Sequence, residues 1–161
     1  MKEGETERLR QIDNAANALF APWLPEVEFG TVPIERFSMM WESKQVWVMA
    51  DPDDRPAGFA VAGDLDGVYW LDQMAVHRAC SGMGLGKALF GAVIEYANWA
   101  HYDAAALSTF RDIPFNAPFY EKFGFVAIDS SNAPDPLKQR FLSEIPDGVD
   151  DSTRALMIRK L

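Results

Sequence analysis

The sequence predicts a single α/β (α+β) domain, residues 1–161, on a mixed β-sheet, and three observations point there. Segments 45–50 (QVWVMA), 57–63 (AGFAVAG) and 68–76 (VYWLDQMAV) are rich in β-branched and aromatic residues and are separated by Asp, Pro and Gly punctuation. A helical pattern over 84–101 then divides the last of these from a further strand at 105–110. A second helix and the terminal stretch TRALMIRKL complete an alternation that places helices on the faces of a mixed sheet.

The elements follow in order. Residues 6–20 set Leu9, Ile12, Ala16, Leu19 and Phe20 on one face at helical spacing, with Pro22 closing the segment. Pro33 opens a short helix in VPIERFSMMWES, because its fixed φ and missing N–H suit a first helical position. The three early strands read as an antiparallel meander of hairpins. In 84–101, Leu85, Leu89, Val93, Ala97 and Ala100 form the apolar stripe. IPFNAPFYEKF, 113–123, reads as a helix stopped by Gly124. Residues 129–150 are rich in Pro, Asp and Ser and read as a long connection with one helical piece, PLKQRFLSEI.

Composition narrows the function classes. Hydrophobic residues are 48% and charged residues 24%, as in ordinary soluble proteins, and no run reaches the roughly 18 apolar residues of a membrane span. The charged opening MKEGETERLRQID lacks the apolar core of a signal peptide, so the cytoplasm is the expected compartment. One cysteine, Cys80, excludes an internal disulfide, and His77 and His101 have no zinc-ligand spacing, so no metal is expected. A net charge of −9 with scattered Lys and Arg argues against nucleic acid as partner.

The stretch HRACSGMGLGKALF, 77–90, places Gly82, Gly84 and Gly86 directly before a helix. Glycines let a phosphate approach the main chain, and a helix N-terminus offers unpaired N–H groups with about half a positive charge. Two familiar phosphate motifs fail. A P-loop needs Gly where Ser81 stands and Ser or Thr where Ala88 follows Lys87, and the evenly spaced glycines break the dinucleotide pattern.

What remains resembles the acetyl-CoA pyrophosphate loop of the GNAT superfamily of N-acetyltransferases: a strand ending in Val, a few residues, Gln or Arg, then Gly, any residue, Gly, an aliphatic, Gly and a helix. LDQMAV, HRAC and SGMGLGKAL match that order, with Ser81 where the family has Gln or Arg. STFRDIPFNAPFYEKFGF, 108–125, resembles the later signature of Asn, then Phe-Tyr, then Gly-Phe. The resemblance covers roughly residues 40–126, and it implies six to seven strands flanked by about four helices.

It also implies roles. Pyrophosphate would rest on main-chain amides of Gly82, Met83, Gly84, Leu85, Gly86 and Lys87, with the Ser81 hydroxyl as a weaker substitute for a long side chain. Met74, Ala75 and Val76 would receive the thioester carbonyl and pair with pantetheine as an added strand. Asn116 would touch the CoA arm. Tyr120 would protonate the departing thiolate. Deprotonating an alkylammonium at pH 7 costs about 4.6 kcal/mol, and Asp72, acting through water, or a water chain would assist. Gln73 points to the opposite strand face. Trp23, Phe37, Trp41 and Trp47 are either acceptor-site lining or core. Cys80 as a nucleophile would need a lowered pKa and a partner base, with His77 adjacent in sequence.

The resemblance thus implies an acetyl-CoA-dependent acyltransferase that moves an acetyl group to a primary amine, on a small molecule or a protein, by direct attack in a ternary complex, with a homodimer as a common assembly. The alternative keeps the fold without turnover, as an acyl-CoA-binding sensor or complex subunit.

Overall fold

The computed structural model describes residues 4–39 and 41–161, Arg36 through its main chain only. Met40, inside the expected second helix, lies outside the described residues, as do residues 1–3 of the charged opening. Among the described residues six strands, β1 (Gln45–Ala50), β2 (Pro56–Leu65), β3 (Val68–Val76), β4 (Ala104–Phe110), β5 (Val126–Ile128) and β6 (Arg154–Lys160), form one mixed sheet in the order β1-β2-β3-β4-β6-β5. The chain divides into two compact units, residues Met1–Gly63 with Gln73–Glu95, and Asp64–Asp72 with Tyr96–Leu161.

In the first unit, α1 (Glu5–Asn17) continues as a 3₁₀ turn over Ala18–Phe20. Glu5 and Glu7 in its first turn favour that end electrostatically. Leu9 and Ile12 are fully buried, as the apolar stripe requires. They pack with Phe37 of α2 (Ile34–Met39) and with Trp41, Phe59, Val61 and Ala75. The Phe37 amide donates to the Pro33 carbonyl, so that proline marks the helix start. β1 (Gln45–Ala50) pairs antiparallel with β2 (Pro56–Leu65) from Gln45↔Ala62 onward.

β3 (Val68–Val76) follows a two-residue turn at Asp66 and Gly67, whose φ values of 52° and 83° are the paired left-handed geometry of a tight hairpin. Gly58 of β2 packs closely: a Cβ there would lie 3.0 Å from the Ala75 carbonyl oxygen and 3.2 Å from the Val76 side chain, tighter than ordinary contact. α3 (Leu85–Trp99) begins in the first unit.

In the second unit, β4 (Ala104–Phe110) pairs parallel with β3 over three residues only, Tyr69↔Ala105 to Leu71↔Leu107. On its other edge β4 pairs antiparallel along its whole length with β6 (Arg154–Lys160), which also pairs with β5 (Val126–Ile128). One face of these strands buries Trp70, Ala106 and Leu156 against Leu137 and Phe141 of α5 (Asp135–Ser143). The other sets Tyr69 against Tyr96 and Tyr102, with ring centroids 5.6 and 4.8 Å away.

The helix expected over 113–123 is shorter. α4 spans Ala117–Glu121, five residues. Pro114 disfavours helical backbone at Ile113, Asn116 has φ −115° and ψ −114°, and Pro118 fits only the first turn. Gly124, at φ 81°, stops the helix as expected, and its amide donates to the Glu121 carbonyl. There are five α-helices among the described residues, one more than the resemblance implied. None is long and apolar enough to cross a membrane.

Candidate active site

Within the first unit the glycine stretch is a loop and helix start built from main chain. A 3₁₀ turn at Arg78–Cys80 follows β3, with His77 Nδ1 accepting from the Ala79 amide at 3.2 Å. That bond gives His77 a capping role beside Cys80. Ser81 is extended and exposed, and its amide donates to the Arg78 carbonyl. Gly82 and Gly84 both adopt φ 80°, and nothing lies within 4 Å of the Cβ either one lacks. The glycines are therefore required by conformation, not by crowding. Met83 between them is 70% exposed.

Ala88 makes the first intrahelical bond, to the Gly84 carbonyl, so the amides of Leu85, Gly86 and Lys87 open α3 without helical acceptors. A Cβ on Gly86 would lie 3.8 Å from Val76, which places the end of β3 beside the helix start. Ala75 is buried, Met74 and Val76 half-buried, and Lys87 exposed. An open loop of left-handed glycines ending in a helix N-terminus suits a bound diphosphate. The residues present thus fit the CoA end of the cosubstrate.

In the same unit, Gln73 points to the opposite face, as expected, and its Nε2 donates to Asp13 of α1 at 2.6 Å. Burial pushes the Asp13 carboxyl up. Phe37 and Trp41 are core residues, Trp47 is half-buried in β1, and Trp23 is 49% exposed.

The second unit holds Tyr120, Asn116 and Asp72. Tyr120 is buried in α4, and burial pushes its phenol above the ordinary value of 10, against the opposing pull of the Arg154 guanidinium. The Tyr120 hydroxyl is therefore protonated at neutral pH, as an acid must be. Asn116 holds the N-terminal end of α4 through its carbonyl, which accepts from the Phe119 and Tyr120 amides at 2.8 and 3.2 Å. Its side chain does not cap the helix; Oδ1 accepts from the Thr109 hydroxyl at 3.1 Å.

Asp72 forms an ion pair with Arg140 of α5. The same guanidinium reaches Glu144 at 2.8 Å, and Glu144 also accepts from the indole Nε1 of Trp70 at 3.0 Å. Burial pushes the Glu144 carboxyl up to about 7, against the opposing effect of Arg140. Arg154 is buried at the start of β6; its Nη2 donates to Ser108 Oγ at 2.6 Å and its guanidinium lies 4.5 Å over the Phe110 ring. Sequence reasoning missed Arg140, Glu144, Arg154 and Ser108. The i,i+4 spacing of Arg140 and Glu144 was the available signal for one pair, and nothing local marks the others.

These features agree with comparisons to known proteins. The model of the acetyltransferase (GNAT) family matches residues 11–125. The fold is similar to an acetyltransferase from Streptococcus agalactiae 2603, with a TM-score of 0.75, 15% identity, and coverage of 100% of this chain and 94% of that one. It is also similar to the ribosomal-protein-S18-alanine N-acetyltransferase from Escherichia coli, with a TM-score of 0.70, 14% identity, and coverage of 99% and 90%. N-acetylglutamate synthase from Neisseria gonorrhoeae, in complex with coenzyme A and N-acetyl-glutamate, matches at a TM-score of 0.70 and 12% identity over 99% of this chain and 34% of that one. At these identities the likeness is one of fold. The family model spans most of the sequence, and this chain belongs to the acetyltransferase (GNAT) family of acyltransferases.

Proposed function

We propose that this protein transfers the acetyl group of acetyl-CoA to a primary amine by direct attack in a ternary complex, as a single cytoplasmic domain. The observation that carries the reading is the paired left-handed glycines, Gly82 and Gly84, leading into the unbonded amides of Leu85, Gly86 and Lys87. Acetyl-CoA supplies the acyl group already activated as a thioester.

The chain's own residues then have distinct tasks. The loop amides and the Ser81 hydroxyl hold the diphosphate, with Lys87 adding a nearby charge. Amides of the Met74–Val76 segment donate to the carbonyl oxygen as charge develops there, a contribution that needs no movement because the strand is already fixed. β3 runs on past Leu71, its last residue paired with β4, so its edge suits strand-like pairing with pantetheine. Asn116, whose Oδ1 is committed to Thr109, offers its Nδ2 to the CoA arm.

Tyr120 gives its proton to the thiolate as it leaves. Its raised affinity for the proton keeps it in the acid form, and transfer concerted with C–S cleavage lets a weak acid serve. Asp72 accepts the amine's proton through water; its pairing with Arg140 holds the carboxylate in place.

Thermal unfolding with and without acetyl-CoA, followed by thiol release with a panel of amines, tests the reading. Stabilisation by several degrees and amine-dependent thiol release are expected. Stabilisation without release for any amine would favour the acyl-CoA sensor, which the engagement of Asp72 by Arg140 makes a specific alternative. Absence of stabilisation would overturn both. Sedimentation of the purified protein tests for a homodimer.

A further inference from the structure

The charged side chains of the second unit are unevenly matched. Arg140 answers two carboxylates, those of Asp72 and Glu144. Arg154, only 8% exposed, makes no direct ion pair among the described residues; the Glu144 carboxylate acts on it only at longer range and is itself paired with Arg140. Its Nη2 is bonded to the neutral Ser108 hydroxyl, its face rests on Phe110, and its Nε is buried with no acceptor.

A guanidinium stays charged at any ordinary pH, and withdrawing it from water is unfavourable unless a counter-charge is supplied. The ring stack and the serine bond fix its plane without neutralising it. Nε–H and Nη2–H lie along one edge of the fork, the edge that receives a carboxylate. Ser108 Oγ accepts from Nη2, so its own O–H is a second donor at the same spot. Ser108 is half-buried and directly follows Leu107, the last residue of β4 paired with β3.

We propose that Arg154 and Ser108 form a receptor for the carboxylate of the acceptor, so that the substrate is a small amino acid and not a polyamine or a protein lysine. This inference rests on the acetyl-transfer reading above and specifies its acceptor. A phosphate of the cosubstrate shares the oxyanion chemistry. The acceptor is favoured because the glycine loop already supplies amides for diphosphate, whereas Arg154 acts electrostatically on Tyr120.

The test compares acceptors that differ only in the carboxylate: L-alanine, L-glutamate and L-lysine, each against its α-amide and its decarboxylated amine. Thiol release is measured at saturating acetyl-CoA. The acid form of the preferred acceptor is expected to exceed its amide in kcat/KM by about 10- to 100-fold, the worth of a charged hydrogen bond. Arg154→Gln is expected to abolish that preference mainly through the acceptor KM, with the KM for acetyl-CoA unchanged. Arg154→Lys, which keeps the charge and loses the fork, retains part of it and guards against misfolding of the glutamine variant. Ser108→Ala weakens it about 3- to 10-fold.

Equal use of acid and amide by the wild type would overturn the proposal. So would a preference that survives Arg154→Gln, or a loss in that variant of acetyl-CoA affinity instead, which would assign the guanidinium to a phosphate. Failure of all acceptors and of acetyl-CoA binding would sink the acetyl-transfer reading itself. Calorimetric titration of the six α-carboxylate and α-amide compounds into wild type and Arg154→Gln then decides the receptor independently: carboxylate-selective heat lost in the variant supports it, and identical heats overturn it.

Discussion

The glycine loop of residues 81–87 and the charged face around Trp70, Asp72 and Arg154 solve opposite problems. The loop is largely exposed, and in the proposed role it recognises through main-chain amides, so that its backbone conformation and not its side chains would carry the chemistry. The charged face is mostly buried and works entirely through side chains brought together from distant positions; Asp72 and Arg140 are 68 residues apart, Trp70 and Glu144 74 apart. Conformation protects the first function and pairing protects the second, so the two regions should fail in different ways.

The largest expected effect is chemical. Tyr120→Phe should lower kcat by 10²- to 10³-fold while the thermal shift produced by acetyl-CoA changes little; a kcat within a few-fold of wild type would remove tyrosine from the acid role.

The buried face should reveal itself through pH. Glu144 holds its proton up to about 7 in the folded chain against an ordinary 4.5. Between those values the native state binds a proton that the unfolded chain has released, so this group's contribution to stability declines as pH rises and levels off above 7. Denaturant titrations at pH 5 and 8 should show wild type losing about 2–3 kcal/mol more than Glu144→Gln across the interval.

The loop should respond to conformation. Gly84→Val places a β-branched residue at φ 80°, which L side chains strongly disfavour, and should weaken acetyl-CoA binding at least 10-fold in calorimetry, with a modest change in melting temperature. The smallest effect should come from Lys87→Ala in the same loop: a loss of about 3-fold in acetyl-CoA affinity that fades with added salt, as befits an exposed charge. If the lysine variant were the more damaging of the two, the loop would be a side-chain site after all.

The same contrast explains what could be read beforehand. β1 and β3 fall at 45–50 and 68–76, where β-branched and aromatic runs end in turn residues, and α1 and α3 follow their apolar stripes. The glycine loop was legible because a left-handed backbone leaves a local mark, a glycine at each place that needs one. β5 was not marked, since three residues, Val126–Ile128, are too few to show a period. α4 was overextended because apolar spacing from Ile113 suggested a helix that Pro114 and Asn116 prevent.

Local chemistry along the chain determined the strands, the helices and the glycine loop, together with the motif that singled out Tyr120 and Asn116 as candidates, because each depends on residues within a few positions of one another. Only the tertiary structure decided that Arg140 would pair directly with two carboxylates while Arg154 would be buried beside a serine, with Glu144 acting on it only at longer range. A charge is neutralised by whatever folding brings within about 4 Å, and adjacency across β4, β6 and α5 is a property of packing that no short stretch of residues contains.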